Sequence, residues 1–167
     1  KYAIKERFPE GEAAIATSAE YSYNYASVFS IFSMKEGFPE GEKEIVTSAK
    51  WSSRYAQDVI QGRFPAGEAA IATSAEFSYE YAKNAIEGRF PEGEKIIATD
   101  PGVSYTYAQE VINHVSLDTA GTRTSYVRPL DGGKPWPPGE AAIATSAEYS
   151  FKYAFLLNVS PKATRPL

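Results

Sequence analysis

The phrase FPEGEAAIATSAEYSYNYA occupies residues 8–26 and returns in altered form at four later openings. Those openings are Phe38, Phe64, Phe90 and Trp136. The middle three lie 26 residues apart, which is too short for an independent domain and suits a pair of short helices that stacks on its neighbours. We therefore expect an all-α, solenoid-like array of about five helix-turn-helix repeats, numbered one to five by their openings.

The opening of each repeat predicts a short helix. Pro9 suits the first helical position, because its φ is already helical and its missing N–H has no partner to lose there. Gly11 permits a tight turn or a close helix contact. Phe8 and Ile15 are seven residues apart and so share one helical face, which we expect to point inward.

A capping residue predicts the start of the second helix. Asp100 followed by Pro101 is typical of an N-cap and a first helical residue, and this sets the register for the other repeats. Thr17 with Glu20 offers an alternative capping box, but Lys50 and Gly102 stand at the glutamate position in repeats two and four. The serine register is preferable. The predicted caps are Ser18, Ser48, Ser74, Asp100 and Ser146.

Comparison of the copies divides the second helix into two faces. The position of Tyr25 is tyrosine in every copy and that of Ala26 is always alanine, as expected for residues packed inside a stack. The position of Asn24, on the opposite face, changes in every copy. We predict that this outer position contacts a protein partner. Its residues are Asn24, Arg54, Glu80, Thr106 and Lys152.

Gly62 and Gly88 follow the second helices of repeats two and three, and we predict that they are left-handed C-terminal caps. The next repeat begins at once, which favours antiparallel helix pairs.

The spacing of the repeats departs from 26 residues at two places. About four extra residues within 27–34 predict one added helical turn in repeat one. About twenty extra residues, Asn113 to Pro135, lack a period and predict a loop inserted between repeats four and five. Residues 1–167 are otherwise expected to form a single helical-repeat domain with a tail at 160–167.

Both ends of the chain carry incomplete repeat features. Residues 2–8 align with 84–90, so the chain opens inside a repeat; either upstream sequence was removed or the segment is a truncated capping helix. The last repeat is more apolar than the others at Phe155, Leu156 and Leu157. Either the insertion folds over these residues, or they contact another chain, including a second copy, or further residues follow.

Composition excludes several classes of protein. With 43% hydrophobic and 23% charged residues the chain should fold. A net charge of −4 argues against a nucleic-acid binder that neutralises phosphates. No apolar run reaches the roughly 20 residues of a transmembrane helix, so no membrane partner is expected. Cysteine is absent, which fits a reducing compartment and a cytoplasmic location.

Glutamate recurs at one position in every repeat, at Glu12, Glu42, Glu68, Glu94 and Glu140. Stacked repeats hold successive carboxylates about 10 Å apart, too far to share an ion, so we expect no metal. We expect these carboxylates to favour the first helical turn, or to accept hydrogen bonds from a tyrosine or from Arg7, Arg63 or Arg89. The Tyr25 equivalents should be core residues. Tyr23, Tyr79 and Tyr105 should form an exposed aromatic ladder or, preferably, pack between repeats.

Catalytic signatures are absent from the sequence, which contains no phosphate loop, dinucleotide fingerprint or nucleophile elbow, so neither a cofactor nor a catalytic residue is predicted. One alternative remains open. Four residues of the insertion, His114, Arg123, Tyr126 and Arg128, offer a pocket for a small ligand or nucleotide, in a binding protein or an enzyme. The competing interpretation is an ordinary surface loop.

The unit FPxGExxIxTS followed by YA resembles short helical repeats of uncharacterised bacteriophage-type proteins. It covers nearly the whole chain except residues 113–135 and the tail. The resemblance implies an α-helical array and a viral origin, and it supplies no catalytic residues. It makes a host-directed interaction the expected role. Our leading prediction is a non-catalytic protein–protein interaction module.

Overall fold

The computed structural model describes residues 7–30, 37–112, 115–117, 123–126 and 136–159, with side chains described for 7–28, 37–112 and 136–156. These residues form a helical repeat array, as the sequence predicts. Each repeat contributes a first and a second helix. The first helices are α1 (Pro9–Ile15), α3 (Pro39–Ile45), α5 (Pro65–Ile71), α7 (Pro91–Ile97) and α9 (Pro137–Ile143). The second helices are α2 (Ala19–Ser30), α4 (Ala49–Tyr55), α6 (Ala75–Tyr81), α8 (Pro101–Tyr107) and α10 (Ala147–Val159).

Both predicted helix starts are confirmed. Each first helix begins at the proline of its opening phrase. Each second helix begins after its predicted cap: the Ser48 hydroxyl accepts a hydrogen bond from the Trp51 N–H at 3.4 Å, and the Asp100 carboxylate accepts from the N–H groups of Gly102 and Val103. Short polar side chains at these positions satisfy backbone donors that the first helical turn leaves without a partner.

The predicted helix ends are wrong by one residue. After Tyr55 and Tyr81, as after Tyr107, the helix widens into five π-helical residues, Ala56–Ile60, Ala82–Ile86 and Ala108–Ile112. Gln61 and Glu87 then adopt φ of 56° and 53°, so they, and not Gly62 and Gly88, are the left-handed residues. The N–H groups of Gln61 and Gly62 both donate to the Ala56 carbonyl, so the chain reverses at Gln61.

The helices form two stacked layers. The second helix of each repeat packs on the first helix of the next, in the pairs α2/α3, α4/α5, α6/α7 and α8/α9. Second helices also stack on one another from α2 to α10. The core between them contains the predicted fixed face: Tyr55, Tyr81 and Tyr107 are fully buried, and the alanines that follow them are buried too.

Glycine allows the close approach of successive repeats. A Cβ atom on Gly67 would lie 2.8 Å from Ser52 Cβ of the preceding repeat and 2.6 Å from the Phe64 ring, closer than carbon atoms approach. The Ser52 hydroxyl turns away from this contact and donates to the carbonyl of Ile45 at 2.8 Å. The same glycine–serine contact recurs at Gly41 and Gly93.

Part of the insertion forms an antiparallel strand pair, β1 (Val115–Leu117) and β2 (Arg123–Tyr126). Val115 pairs with Tyr126 and Ser116 with Ser125, and the register shifts before Leu117. Residues 113–135 were predicted to be a loop, and this strand pair was not predicted. The added turn of repeat one is predicted within 27–34; α2 continues through Ser30, and residues 31–36 lie outside the described residues. Across the part of the chain that is described, no helix has the length and apolar character needed to cross a membrane.

Candidate functional site

In repeats one to four, a tyrosine of the second helix makes two hydrogen bonds at the start of the first helix of its own repeat. The Tyr81 hydroxyl accepts a hydrogen bond from the Phe64 N–H at 2.7 Å and donates one to the Glu68 carboxylate at 2.8 Å. Tyr25, Tyr55 and Tyr107 make both bonds to their own Phe and Glu residues. Burial raises the pKa of Tyr81 to about 12, and the hydrogen bond to Glu68 contributes to the rise.

Arginine completes this arrangement in repeats one, three and four. Arg7 binds Glu12 through two nitrogens, at 2.6 and 2.9 Å, and this hydrogen bonding lowers the pKa of Glu12. Arg63–Glu68 and Arg89–Glu94 are equivalent pairs. The predicted role of the repeated glutamate, as acceptor for tyrosine and arginine, is confirmed. These carboxylates are therefore structural groups.

Repeat two lacks the arginine and has Gly37 in its place. Gly37 has a φ of 60°, and a Cβ there would lie 2.5 Å from the Tyr55 hydroxyl. The left-handed conformation and the close hydroxyl both favour glycine at this position.

A second tyrosine position connects adjacent repeats. Tyr23 donates to Asp58 of repeat two at 2.5 Å, and Tyr79 donates to Glu110 of repeat four, which also binds Lys83 at 2.6 Å. Tyr105 packs on Tyr149 with ring centroids 5.8 Å apart. The preferred prediction for these tyrosines, packing between repeats, is confirmed. Burial raises the pKa of Tyr23 and of Tyr79 to about 12, with the acidic partner adding to the rise.

The varied positions of the second helices form one surface, here called the outer row: Asn24, Arg54, Glu80, Thr106 and Lys152. Their helices stack in sequence, so the positions follow one another along the array. Asn24, Arg54 and Lys152 are exposed, and Glu80 and Thr106 are half-buried. Burial, together with repulsion from Glu76, raises the pKa of Glu80, and attraction to Arg54 opposes the rise. Arg54 therefore influences the repeat beside it.

Aromatic residues flank the outer row and were not among the predicted site residues. Lys50 Nζ lies 4.3 Å from the centre of the Trp51 ring, and the Arg54 guanidinium carbon lies 5.8 Å from it. Lys152 stands over Tyr149 in the same way, at 5.2 Å. The sequence contained a signal for these residues: the position of Trp51 and Tyr149 precedes the outer row by three residues, so it lies one helical turn away on the same face. The aromatic residues at this position are Tyr21, Trp51, Phe77 and Tyr149, and repeat four has Val103 instead.

The predicted ligand residues of the insertion are only partly described. Arg123 and Tyr126 lie at the two ends of β2. His114 and Arg128 lie outside the described residues.

The apolar end of the last repeat is also partly described. Phe155 is exposed and Leu156 is buried. The side chain of Leu157 is outside the described set.

The described part of the chain contains no group of three or more acidic or histidine side chains that could hold a metal ion. An open cleft of ≈ 470 Å³ lies at repeat one and is lined by Ala14, Ile15, Tyr21, Asn24 and Tyr25. It involves only one residue of the outer row. Fold and surface together define a helical-repeat protein with a hydrogen-bonded interior and a varied outer row. No protein family, curated protein or solved structure matches the chain.

Proposed function

We propose that this chain is a non-catalytic helical-repeat module that binds a protein partner through the outer row. The observation that carries the proposal is the contrast between two neighbouring positions of the second helix, compared across the repeats. Tyr55, Tyr81 and Tyr107 are identical and fully buried, whereas Arg54, Glu80 and Thr106 differ and reach the surface. A row of varied residues along an exposed face, beside an invariant buried one, is typical of repeat proteins that bind partners along that face.

The chemistry of the outer row suits a protein surface. In repeat two, Arg54 and Lys50 surround Trp51, which gives a basic patch with an aromatic centre. In repeat three, Glu76 and Glu80 give an adjacent acidic patch. Aromatic residues and arginine are enriched at the energetic centres of interfaces. We infer a partner with an acidic patch beside a basic one, arranged to face repeats two and three.

The repeated carboxylates support the non-catalytic part of the proposal. Glu12, Glu68 and Glu94 each accept hydrogen bonds from a tyrosine and an arginine, so their oxygens are engaged in contacts that hold the repeat together. The alternative, a small-ligand or nucleotide-binding site at His114, Arg123, Tyr126 and Arg128, is favoured by no observation on the described residues. It stays a prediction. A phage-encoded, host-directed role and a cytoplasmic location are likewise proposals, based on the sequence resemblance and composition.

Charge reversal tests the outer row. Partners captured from lysate are identified and purified, and their affinity is measured for the unmodified chain and for Arg54→Glu, Glu80→Lys and Lys152→Glu. We expect at least one reversal to weaken binding by about tenfold or more, as loss of an interface hot spot does. For the exposed Arg54 and Lys152, thermal stability should change little, because surface substitutions usually alter the free energy of unfolding by less than about 0.5 kcal/mol.

Lys43→Glu is the matched control, because Lys43 is exposed on α3 in the other layer of helices. It should leave the affinity unchanged. Equal affinity of all three outer-row variants and the unmodified chain would contradict the proposal.

A further inference from the structure

Exposed large apolar side chains concentrate at the two ends of the array. Among the described residues with this property, only Ile60 lies in the interior of the array. Tyr21 is 65% exposed in repeat one and Phe151 is 76% exposed in repeat five. The others are Phe8 and Val28 in repeat one and Phe155 in repeat five. The interfaces between repeats show what these positions contact when a neighbour is present.

The first internal contact joins a tyrosine of one second helix to the opening aromatic of the next repeat. The ring centroids of Tyr55 and Phe64 are 5.2 Å apart, and those of Tyr81 and Phe90 are 5.1 Å apart. These phenylalanines are buried by the contact, whereas Phe8, the opening residue of repeat one, is exposed. Phe8 therefore lacks the contact with a tyrosine of a preceding repeat that its internal equivalents make.

The second internal contact involves the positions of Tyr21 and Phe151. Tyr23 packs on Trp51 of the next repeat at 5.2 Å, and Tyr105 packs on Tyr149 at 5.8 Å. Phe151 occupies the position of Tyr23 and Tyr105 in the last repeat, and Tyr21 occupies that of Trp51 and Tyr149 in the first. The two ends thus carry the two halves of one aromatic contact.

The residues at the two ends are also compatible in polarity at the position of the hydrogen bond between repeats. Tyr23 and Tyr79 donate to acidic residues of the next repeat, Asp58 and Glu110. Counted from the openings of their repeats, Phe151 stands in the tyrosine position and Val28 in the acidic one. Both members of the tyrosine–acid pair are thus replaced by apolar residues, one in repeat five and one in repeat one. Docking of Phe151 beside Val28 would therefore bury no unpaired hydroxyl or carboxylate.

The cleft at repeat one provides space for such docking. One of its lining residues, Tyr21, is the equivalent of Trp51, whose ring contacts Tyr23 of the preceding repeat. The cleft volume of ≈ 470 Å³ leaves room for an incoming aromatic side chain. Its occupant should therefore resemble the exposed face of a second helix.

We propose that a second copy of this chain docks head to tail, with α10 of one copy against α1 and α2 of the next. The interface would reproduce the repeat-to-repeat packing and place Phe151 on Tyr21 and Val28. Such an interface is heterologous, because the two copies use different surfaces, and it generates linear oligomers unless the superhelix closes. It uses the ends of the array and does not depend on partner binding by the outer row.

Sedimentation velocity from micromolar to millimolar concentration tests the proposal. The unmodified chain should gain mass with concentration. Tyr21→Glu and Phe151→Glu should each remain monomeric, because each variant buries a charge at one end of the interface. An equimolar mixture of the two should form a dimer and nothing larger, since each variant keeps one intact and complementary end.

Ile60→Glu is the control, because it places the same charge on an exposed apolar residue away from both ends. It should assemble like the unmodified chain, and circular dichroism should show that all variants are folded. Three outcomes overturn the proposal: a strictly monomeric unmodified chain, a mixture that stays monomeric, or a Tyr21→Glu variant that still forms dimers by itself.

Discussion

The Tyr81 hydroxyl accepts a hydrogen bond from the backbone N–H of Phe64 over 2.7 Å. This N–H precedes the helix that starts at Pro65, so no helical carbonyl is available to it. The same hydroxyl donates to Glu68 inside that helix. One side chain therefore fixes where the first helix begins and how the second helix lies against it.

Replacing Tyr81 with phenylalanine should destabilise the array. The change leaves the buried Phe64 N–H without its acceptor, and an unsatisfied buried donor costs about 1–3 kcal/mol in the free energy of unfolding. Chemical denaturation followed by circular dichroism measures the loss. Tyr21→Phe removes a hydroxyl from an exposed ring and should change stability by less than about 0.5 kcal/mol. If Tyr81→Phe and the unmodified chain had the same stability, the hydrogen bonds of this hydroxyl would not stabilise the repeat.

Local chemistry explains which parts of the fold the sequence predicted. Pro9 and Ser48 mark helix starts because proline geometry and a serine hydroxyl act on adjacent backbone groups. The π-helical ends were not predicted, because hydrogen bonds to the fifth residue have no comparable residue signature. The assignment of Gly62 as the left-handed residue failed because that conformation is adopted by Gln61, a residue type that rarely has a positive φ. The strand pair of the insertion was missed because strands of three and four residues are too short for an alternating pattern to be recognised.

The sequence predicted which faces of the repeats meet, but not the specific contacts between them. A period of 26 residues placed the outer row on one face, but it did not identify what binds there. Tyr23 and Asp58 are 35 positions apart, and their hydrogen bond was not predicted. The equivalent positions of the other interfaces give only a partial signal: Tyr79 accompanies Glu110 and Ser53 accompanies Asn84, but Tyr105 accompanies Leu156.

Gly67→Ala should disrupt the packing of repeat three on repeat two. The new Cβ would lie 2.8 Å from Ser52 Cβ and 2.6 Å from the Phe64 ring, so the two helices must separate. Overpacking of this kind lowers the free energy of unfolding by about 1–3 kcal/mol. The fall should appear as a lower midpoint of chemical denaturation.

Gly62→Ala is the matched control, because a Cβ at Gly62 would meet no atom within 4 Å. With φ outside the left-handed region, alanine should raise stability by about 0.4–1 kcal/mol through a less flexible unfolded chain. The prediction fails if both alanine variants have the same effect.

Gln61→Gly should stabilise the protein. Gln61 has a φ of 56°, a conformation that costs a residue with a Cβ about 1 kcal/mol and costs glycine little. Part of the gain is offset by the greater flexibility of glycine in the unfolded chain, so we expect an increase of about 0.5 kcal/mol. Gln57→Gly, in the preceding π-helical segment, should instead lower stability by about 1 kcal/mol. Thermal denaturation of the two variants should shift in opposite directions.

Alkaline pH should unfold the array through its buried tyrosines. Burial raises the pKa of Tyr81 from 10.0 to about 12, and burial raises the pKa of Tyr55 and Tyr107 as well. Below pH 10 both folded and unfolded chains keep these protons, so the contribution to stability is complete. As pH rises from 10 toward 12 the unfolded chain loses protons first, and the free energy of unfolding falls.

Tyrosinate absorbance and helical circular dichroism, recorded together in this pH window, check the mechanism. The buried tyrosines should ionise in the same cooperative step in which helical signal is lost. Tyr81→Phe should be less stable than the unmodified chain near neutral pH but lose less stability between pH 10 and 12, because one of the groups with a raised pKa is gone. Gradual ionisation of every tyrosine with the helices intact would show that the hydroxyls reach solvent in the folded chain, in conflict with the full burial of Tyr55, Tyr81 and Tyr107.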